Sequence, residues 1–298
     1  MSVMPNLSNL PEIADRGRLL IVCPDQPGIV AAVSRFLFDC GANIVHSDQH
    51  TTDPGGGLFF LRVEFDLPDL AENVAEMDAA FAEAIALPRD MRHHFAVAAR
   101  QKRLAVFVSK EEHCLMELLW QQRSGDLGAE IAVVVSNHED CGPLVTPFGI
   151  PFHHIPITKE TKAEAEEAQL GLLAEQQIDA VVLARYMQIV SPAFIRHWEN
   201  RIINIHHSFL PAFVGAKPYA QAHARGVKII GATAHYVTEE LDAGPIIEQD
   251  VQRVDHRNTV EDLKRIGRQI ERTVLARAVA WHAQDRVLVY GNKTVVFA

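Results

Sequence analysis

The feature that most constrains the fold is a series of five short strand-like segments, mostly apolar, that alternate with segments of helical periodicity. The strand-like segments are Leu104–Ser109, Ile131–Ser136, Phe152–Pro156, Asp179–Ala184 and Ile202–Asn204. Strands that are apolar along their length are buried on both faces, which is typical of parallel sheets covered by helices. The alternation therefore predicts an α/β domain with a doubly wound, mostly parallel sheet.

Four further segments follow that series. Lys228–Val237 and Pro245–Val254 alternate apolar and polar residues, which predicts an antiparallel extension of the sheet. A helical segment runs from Thr259 to His282, and a hairpin turn follows at Gly291-Asn292. Together these patterns predict one large domain in the remainder of the chain.

The first hundred residues follow a different order. Strand patterns at 18–23, 43–46, 58–67 and 94–98 are interleaved with helical patterns at 29–40 and 70–87. The order β-α-β-β-α-β is typical of a ferredoxin-like sandwich. We therefore predict a tail at residues 1–15, a first domain at 16–98 and a second domain at 99–298.

Composition and charge exclude several classes of protein. The 298 residues are 48% hydrophobic, yet no apolar run approaches the roughly 18 residues that a membrane span needs. A formal net charge of −10 argues against nucleic acid as the main partner. The four cysteines form no CxxC pair, and the N-terminus has no basic region followed by an apolar stretch. These features predict a cytoplasmic protein with free thiols and no membrane or nucleic-acid partner.

The segment from Ile202 to Pro211 has the densest cluster of polar and ionisable residues in apolar surroundings. In an extended strand, Asn204, His206 and Ser208 share one face and His207 lies on the other. Ligands of open α/β sheets bind at the carboxyl ends of the strands, where this cluster falls. The alternative is a buried strand end whose polar groups bond to nearby backbone.

Two other segments are candidates for the same site. Asp242 lies in a turn between two strands, where it could cap the turn or face His206 across a cleft and act as a base. The segment Leu183–Pro192 leaves a strand with groups suited to lining a slot for a flat heterocycle. Taken alone, this last signal is weak.

These motifs together resemble those of the folate-dependent formyltransferases. The matching segments are Asn204–Pro211, Thr233–Val237 with Leu241–Ile247, and Tyr186–Ile189 with Ser191-Pro192. The whole layout, including Phe213–Tyr219 and Val289–Thr294, resembles the formyltetrahydrofolate deformylases more than the transferases. In the first domain, Pro24–Gly28 and Gly41–Ile44 resemble an ACT regulatory domain.

The resemblance implies roles by position. The catalytic residues would be Asn204, His206 and Asp242. The folate-binding residues would be Tyr186, Met187, Gln188, Ile189, Ser208 and His235. An amino-acid effector such as glycine or methionine would bind at Asp25, Gly28, Asn43 and Ile44, in a homo-oligomer. The alternative is that this domain is a purely structural dimerisation module. No metal and no cofactor is expected, since the folate is the substrate.

One departure from the transferases favours water as the acceptor. Glycinamide ribonucleotide formyltransferase has a glycine-rich phosphate loop where this chain reads Ser109–Cys114, with two glutamates and no glycine. The acidic chain also lacks an obvious basic extension for tRNA. The resemblance then implies hydrolysis of 10-formyltetrahydrofolate, which balances one-carbon pools and supplies formate for purine synthesis. A transferase with an unidentified acceptor and a non-catalytic folate-binding sensor remain as alternatives.

Overall fold

The computed structural model describes residues 14–53, 55–212 and 218–298, so most of the predicted tail (residues 1–15) lies outside the described residues. The chain divides into two compact units. Unit 1 is the chain up to Gln101 with Gln284–Leu288 and Val295–Ala298. Unit 2 is Lys102–Ala283 with Val289–Thr294.

Unit 1 is a four-stranded antiparallel sheet with two helices, which confirms the ferredoxin-like prediction. Its strands are β1 (Arg16–Pro24), β2 (Asn43–Thr51), β3 (Leu58–Asp66) and β4 (Arg92–Val97). Its helices are α1 (Ile29–Asp39) and α2 (Leu70–Phe81), and α2 continues as a π-helix (Ala82–Ala86) and a 3₁₀ turn (Leu87–Arg89). The strand order is β2-β3-β1-β4.

The core of unit 1 follows from the sequence periodicities. Leu19, Ile21 and Phe65 alternate on the inner face of the sheet, and Val33 and Leu37 face them from α1 at helical spacing. All five side chains are buried, and their burial supplies the apolar free energy that holds α1 on the sheet.

Strand β2 is the exception in unit 1, because it is an edge strand exposed along almost its whole length. Only Asp48 and Thr51 are partly buried. Ile44 and Val45 are 37% and 40% exposed. An edge of this length leaves unpaired backbone groups that can pair with another strand.

Unit 2 is built on a seven-stranded sheet in the order β11-β10-β9-β8-β5-β6-β7. Its strands are β5 (Lys102–Val108), β6 (Ala129–Ser136), β7 (Phe152–His154), β8 (Ala180–Leu183), β9 (Ile202–His206), β10 (Ile229–Tyr236) and β11 (Ile246–Arg253). Strands β5 to β9 are parallel, whereas β10 is antiparallel to both of its neighbours. The predicted parallel sheet with an antiparallel extension is confirmed.

Helices connect these strands. They are α3 (His113–Ser124), α4 (Gly142–Val145, followed by a 3₁₀ turn at Thr146–Phe148), α5 (Lys162–Glu175), α6 (Pro192–His197), α7 (Pro218–Ala224) and α8 (Val260–Ala283). The long helix α8 buries a stripe that includes Leu263, Ile270 and Val274. It packs on the antiparallel strands β10 and β11. Strands β12 (Val287–Tyr290) and β13 (Lys293–Val296) form a separate two-stranded sheet.

The predicted extent of the second domain (99–298) needs one correction, because two C-terminal segments belong to unit 1. The first of them, Gln284–Leu288, is bound to unit 1 by the side chain of Arg62, which is 2% exposed. Its guanidinium donates hydrogen bonds to the carbonyl oxygens of Asp285 (2.9 Å) and Gln284 (3.0 Å). A buried cation requires such partners, and the returning chain provides them. Among the described helices, none is long and apolar enough to cross a membrane.

Candidate active site

A cavity of about 420 Å³ opens at the carboxyl ends of β8 and β9. Strand β9 contributes Asn204 and His206, strand β10 contributes His235, and the turn after β10 contributes Asp242. The sheet changes direction of winding in this region, since β5 lies between β6 and β8. Such a position is where open α/β sheets bind ligands.

Asn204 and His235 lie opposite each other in the antiparallel pair β9–β10. The Nδ1 of His235 lies 2.9 Å from the carbonyl oxygen of Tyr236, so it must carry the proton and donate it. Nε2 of the same ring then carries no proton, and its lone pair accepts a hydrogen bond from Nδ2 of Asn204 at 3.2 Å. Burial lowers the pKa of His235, so the ring is neutral in this role. The second N–H of the Asn204 amide remains to serve a ligand.

His206 and Asp242 form a hydrogen-bonded pair in the same cavity. Nδ1 of His206 lies 3.3 Å from Oδ2 of Asp242, whose Oδ1 lies 3.9 Å from Nε2 of His235. The hydrogen bond from His206 lowers the pKa of Asp242, although burial opposes it. Within the described residues, the buried Nε2 of His206 has no hydrogen-bond partner. The carboxylate therefore orients the imidazole and leaves its far nitrogen for a substrate.

The turn that carries Asp242 is held by close contact between its own backbone, at Gly244 and Pro245, and the backbone of Tyr236 in β10. Asp242 itself has a φ of +55°, in the left-handed region. A Cβ added at Gly244 would lie 1.9 Å from the carbonyl oxygen of Tyr236, so only glycine fits there. The N–H of Tyr236 donates to the carbonyl oxygen of Pro245 at 2.9 Å. This approach holds the turn against β10 and so sets the position of the carboxylate.

The four predicted folate-loop residues, Tyr186 to Ile189, all line the cavity, in two different ways. Tyr186 is 5% exposed, packs against Phe107, and its hydroxyl accepts a hydrogen bond from Gln169. Met187 and Ile189 are instead 59% and 64% exposed. Exposed apolar side chains at a cavity wall are suited to covering a flat apolar ligand.

Two predictions for the end of β9 are wrong. The strand ends at His206, so the alternation of faces stops there. The ring of His207 lies 5.2 Å from that of His206 and lines the same cavity, rather than facing away. Ser208 was expected to share the face of Asn204 and His206. Its hydroxyl donates to the carbonyl oxygen of Ala212 at 2.7 Å, and it is absent from the lining of this cavity in the described chain.

Sequence reasoning missed a buried charged cluster beside the cavity. Glu271 of α8 is 1% exposed and accepts hydrogen bonds from Nε2 of His113 (2.9 Å) and the hydroxyl of Tyr219 (2.6 Å). Arg185, which lines the cavity, places its Nε 3.4 Å from the same carboxylate. Burial opposes ionisation, but these partners together bring the pKa of Glu271 down to about 2. The available signal was a glutamate on the apolar stripe of α8.

His113, Cys114 and Glu271 are the one group of potential metal ligands found in the described part of the chain. Their ligand atoms lie within 4.8 Å of one another. However, both oxygens of Glu271 already accept hydrogen bonds, and the Arg185 guanidinium beside them repels a cation. Burial raises the pKa of the Cys114 thiol well above its usual range, which disfavours the thiolate that a metal needs. The chemistry fits an ionic hydrogen-bonded cluster better than a metal centre.

The four predicted effector residues do not come together in one copy of unit 1. Asp25 and Gly28 lie in the turn before α1, where Asp25 accepts a hydrogen bond from Thr51, the last residue of β2. Asn43 and Ile44 lie at the other end of β2. A strand of nine residues spans roughly 26 Å at about 3.3 Å per residue. One chain alone therefore does not bring all four residues to a single site.

Gly28 is needed for its backbone rather than for space. Its φ is +91°, and a Cβ built there meets no described atom within 4 Å. Lack of space around this position is therefore not what requires glycine. The left-handed conformation alone accounts for glycine at the start of α1.

Comparisons with known proteins agree with this architecture. The model of the formyl transferase family matches residues 102–279, and that of the ACT domain matches residues 17–82. The formyltetrahydrofolate deformylase of Bacillus subtilis (strain 168) is 60% identical over 283 residues, which cover 95% of this chain and 94% of that protein. The formyltetrahydrofolate deformylase of Escherichia coli (strain K12) is 43% identical over 279 residues, which cover 93% and 97%.

Two solved structures differ in the share of this chain that they cover. A crystal structure of a formyltetrahydrofolate deformylase from Pseudomonas syringae superposes with a TM-score of 0.90 at 47% identity and covers 95% of both chains. A glycinamide ribonucleotide transformylase 1 from Symbiobacterium toebii gives a TM-score of 0.63 at 30% identity and covers 69% of this chain and 97% of its own. The similarity to the deformylase thus extends over a larger share of this chain than that to the transformylase.

Proposed function

Because the chain belongs to the formyltetrahydrofolate deformylases of the formyl transferase family, we propose that its cavity hydrolyses 10-formyltetrahydrofolate to tetrahydrofolate and formate. It is a hydrolase, with an ACT domain in unit 1 and a formyltransferase-type catalytic domain in unit 2. The observation that carries the assignment of the site is the joint presence of Asn204, His206 and Asp242 in one cavity.

The reaction develops negative charge on the formyl oxygen when water attacks the formyl carbon. The free N–H of Asn204 and the Nε2 side of His206 are the two groups placed to donate hydrogen bonds to that oxygen. Preorganised donors of this kind contribute most to the rate when they sit in a site that excludes water. Asn204 is held by the neutral His235, so its amide cannot rotate away from the oxyanion.

Asp242 acts on the reaction through His206. Its carboxylate holds the protonated imidazole in place and stabilises that positive charge. His206 can then give a proton to N10, the leaving nitrogen, as the carbon–nitrogen bond breaks. The same contact occupies Asp242, because its Oδ2 lies 3.3 Å from Nδ1 of His206 and its Oδ1 lies 3.9 Å from Nε2 of His235.

The wall of the cavity provides a slot for the folate. Met187 and Ile189 present apolar side chains on one side, and Leu241, which is 61% exposed, presents another beside Asp242. Flat heterocycles are usually held between apolar faces, with a few polar groups at the edges. We assign Ser208 no contact with the substrate, since its hydroxyl is committed to Ala212.

The proposed chemistry uses no metal and no cofactor. Every step is assigned to an amide, an imidazole or a carboxylate of this chain, and the substrate supplies the reactive group. The cluster around Glu271 is interpreted as structural because its partners are a cation and two hydrogen-bond donors.

The exposed edge of unit 1 supports a homo-oligomer with a shared effector site. If β2 pairs antiparallel with β2 of a second copy, the start of one strand lies beside the end of the other. Asn43 of one copy then approaches Asp25 and Gly28 of its partner. An amino acid would bind there with its carboxylate at the N-terminus of α1. The four unpaired cysteines are also in keeping with a cytoplasmic location.

The test is direct. Purified protein is incubated with 10-formyltetrahydrofolate and no acceptor, and formate and tetrahydrofolate are measured. Equal amounts of both products are expected. No formate in the absence of an added amine acceptor would favour a transferase, and folate binding without turnover would favour a sensor.

A further inference from the structure

The imidazole of His207 is an unused titratable group in the catalytic cavity. Its ring centroid lies 5.2 Å from that of His206, with an angle of 37° between the planes. Side chains of neighbouring residues in a regular strand point to opposite faces of the sheet. The rings of His206 and His207 can lie this close because β9 ends at His206. No hydrogen bond to a described residue engages either ring nitrogen of His207.

Hydrolysis needs a group that takes a proton from the attacking water, and the other polar residues of the cavity are poorly suited to it. Both carboxylate oxygens of Asp242 face a histidine of the cavity, Oδ2 at 3.3 Å from Nδ1 of His206 and Oδ1 at 3.9 Å from Nε2 of His235. His235 uses Nδ1 as a donor to Tyr236 and Nε2 as an acceptor from Asn204, so it has no free lone pair. An amide such as Asn204 is not a base at all.

The surroundings of His207 keep it neutral. Burial, and after it the charge of Arg185, lower its pKa to about 4, against the opposing carboxylates of Glu271 and Asp242. The ring centroid of Tyr219 lies 6.2 Å from that of His207. At neutral pH the imidazole therefore has a free lone pair beside the oxyanion donors.

The buried cluster fixes this environment. Arg185 is held 3.4 Å from Glu271, which is in turn held by Tyr219 and by His113 of α3. Arg185 is thus a positioning residue, which keeps a positive charge next to His207 in the resting site. As the oxyanion develops nearby, its negative charge favours protonation of His207 during the step itself.

We propose that His207 is a further catalytic residue that accepts the proton of the attacking water. The water oxygen bonds to the formyl carbon, one O–H bond breaks, and its proton goes to His207. The carbonyl electron pair moves to the oxygen held by Asn204 and His206. On collapse, the bond from the formyl carbon to N10 breaks, its electron pair stays on N10, and N10 takes a proton from His206.

Formic acid then ionises, His207 releases its proton to solvent and His206 regains one. The net products are tetrahydrofolate, formate and one proton. This inference rests on the proposed hydrolysis, which the formate assay on the unmodified enzyme tests by itself.

The experiment compares His207→Ala with the parent enzyme and with His197→Ala, a matched histidine variant on the exposed face of α6. We expect kcat of His207→Ala to fall by about 100-fold or more, in the range typical of a lost general base. KM should change less than about threefold, since uniform binding is not altered. Added imidazole should raise kcat of His207→Ala at least about tenfold by providing a substitute base. Added imidazole should leave the kcat of His197→Ala unchanged.

His207→Gln is the second variant, because its amide retains hydrogen bonding to water but cannot take a proton. It should lose activity as His207→Ala does, without rescue by imidazole. Tetrahydrofolate affinity shows whether each variant has kept its cavity. The proposal is overturned if a variant that binds tetrahydrofolate normally keeps kcat within about threefold of the parent, or if imidazole fails to rescue such a His207→Ala protein. It is also overturned if neither variant binds tetrahydrofolate, since His207 would then be structural.

Discussion

The two candidate ligand sites of this chain differ in how their residues are held. In unit 2, Asn204, His206 and Asp242 converge on one cavity and are bound to each other or to His235. In unit 1, Gly28 and Asn43 lie at opposite ends of the exposed strand β2. The proposed catalytic site has all its residues in one chain, whereas the proposed effector site would need a second copy.

The residues that the motifs predict thus lie together in unit 2 and apart in unit 1, which fits two different kinds of proposed site. A catalytic site must be preorganised, so its residues satisfy one another's hydrogen bonds before the substrate arrives. A regulatory site between copies can leave its residues exposed until the partner and the effector cover them. Substitutions should therefore have a large effect on the rate in unit 2 and a selective effect on regulation in unit 1.

The largest effect is expected for Asp242→Asn. The amide cannot stabilise a charged His206, so kcat should fall by about 100-fold or more while folate affinity changes little. Steady-state kinetics and tetrahydrofolate binding measure the two quantities separately. Near-normal turnover in a folded Asp242→Asn protein would sink the assignment of this carboxylate.

Glu271→Gln should mainly affect stability and its dependence on pH. The pKa of Glu271 is about 2, against an ordinary value of 4.5, so the carboxylate stabilises the fold above pH 4.5. That contribution is lost as the pH falls from 4.5 towards 2. The variant should lose about 3 kcal/mol at pH 7, since Arg185 is left without its counter-charge. Its stability should also depend less on pH in that acid range.

Urea unfolding of parent and variant between pH 7 and pH 3 measures both effects. Glu261→Gln, on the exposed side of α8, is the matched control. A parallel pH dependence in parent and Glu271→Gln would mean that the cluster does not hold an ionised carboxylate.

A smaller and more selective effect is expected in unit 1. Gly28→Asn keeps the left-handed conformation that glycine adopts, at low cost, but places a side chain at the proposed effector position. It should abolish any change in rate caused by glycine or methionine and leave the basal rate within about twofold. Asn43→Ala should do the same. Initial rates with and without each amino acid test both variants.

Mixed assemblies sharpen this comparison. In a pair with Gly28→Asn in one copy and Asn43→Ala in the other, one of the two shared sites has only parental residues. The mixture should regain part of the amino-acid response that each variant lacks alone. No recovery in mixtures that are shown to exchange copies would argue against a site between copies.

The smallest effect is expected for EDTA, which should leave the rate unchanged. The catalytic roles are assigned to protein side chains, and the Arg185 charge disfavours a cation at His113, Cys114 and Glu271. The enzyme is assayed after dialysis against the chelator, with and without added divalent metals. Lost activity that one metal restores would contradict the assignment.

The order of elements was predictable because apolar periodicity is a local property of the chain. The strand that bears Asn204 and His206, and the antiparallel strand that follows it, could be identified in this way. The orientation of His207 could not, since it depends on where β9 stops. The end of a strand is set by tertiary contacts that a face-alternation rule does not contain.

The cluster around Glu271 shows a second limit. Its members come from α3, the loop after β8, α7 and α8, which are distant in sequence. The only local signal is one glutamate among the buried residues of α8. A buried charge implies partners, but one sequence does not identify them.

Gly244 has a consequence for interpreting natural variation in such chains. Any side chain at this position would strike the carbonyl oxygen of Tyr236 and push away the turn that bears Asp242. A homologue with alanine at the corresponding position could therefore retain Asn204, His206 and Asp242 in its sequence and still be a pseudoenzyme. A survey that checks only the reacting side chains would misclassify such a protein as active. Whether this glycine is present should be part of any such test.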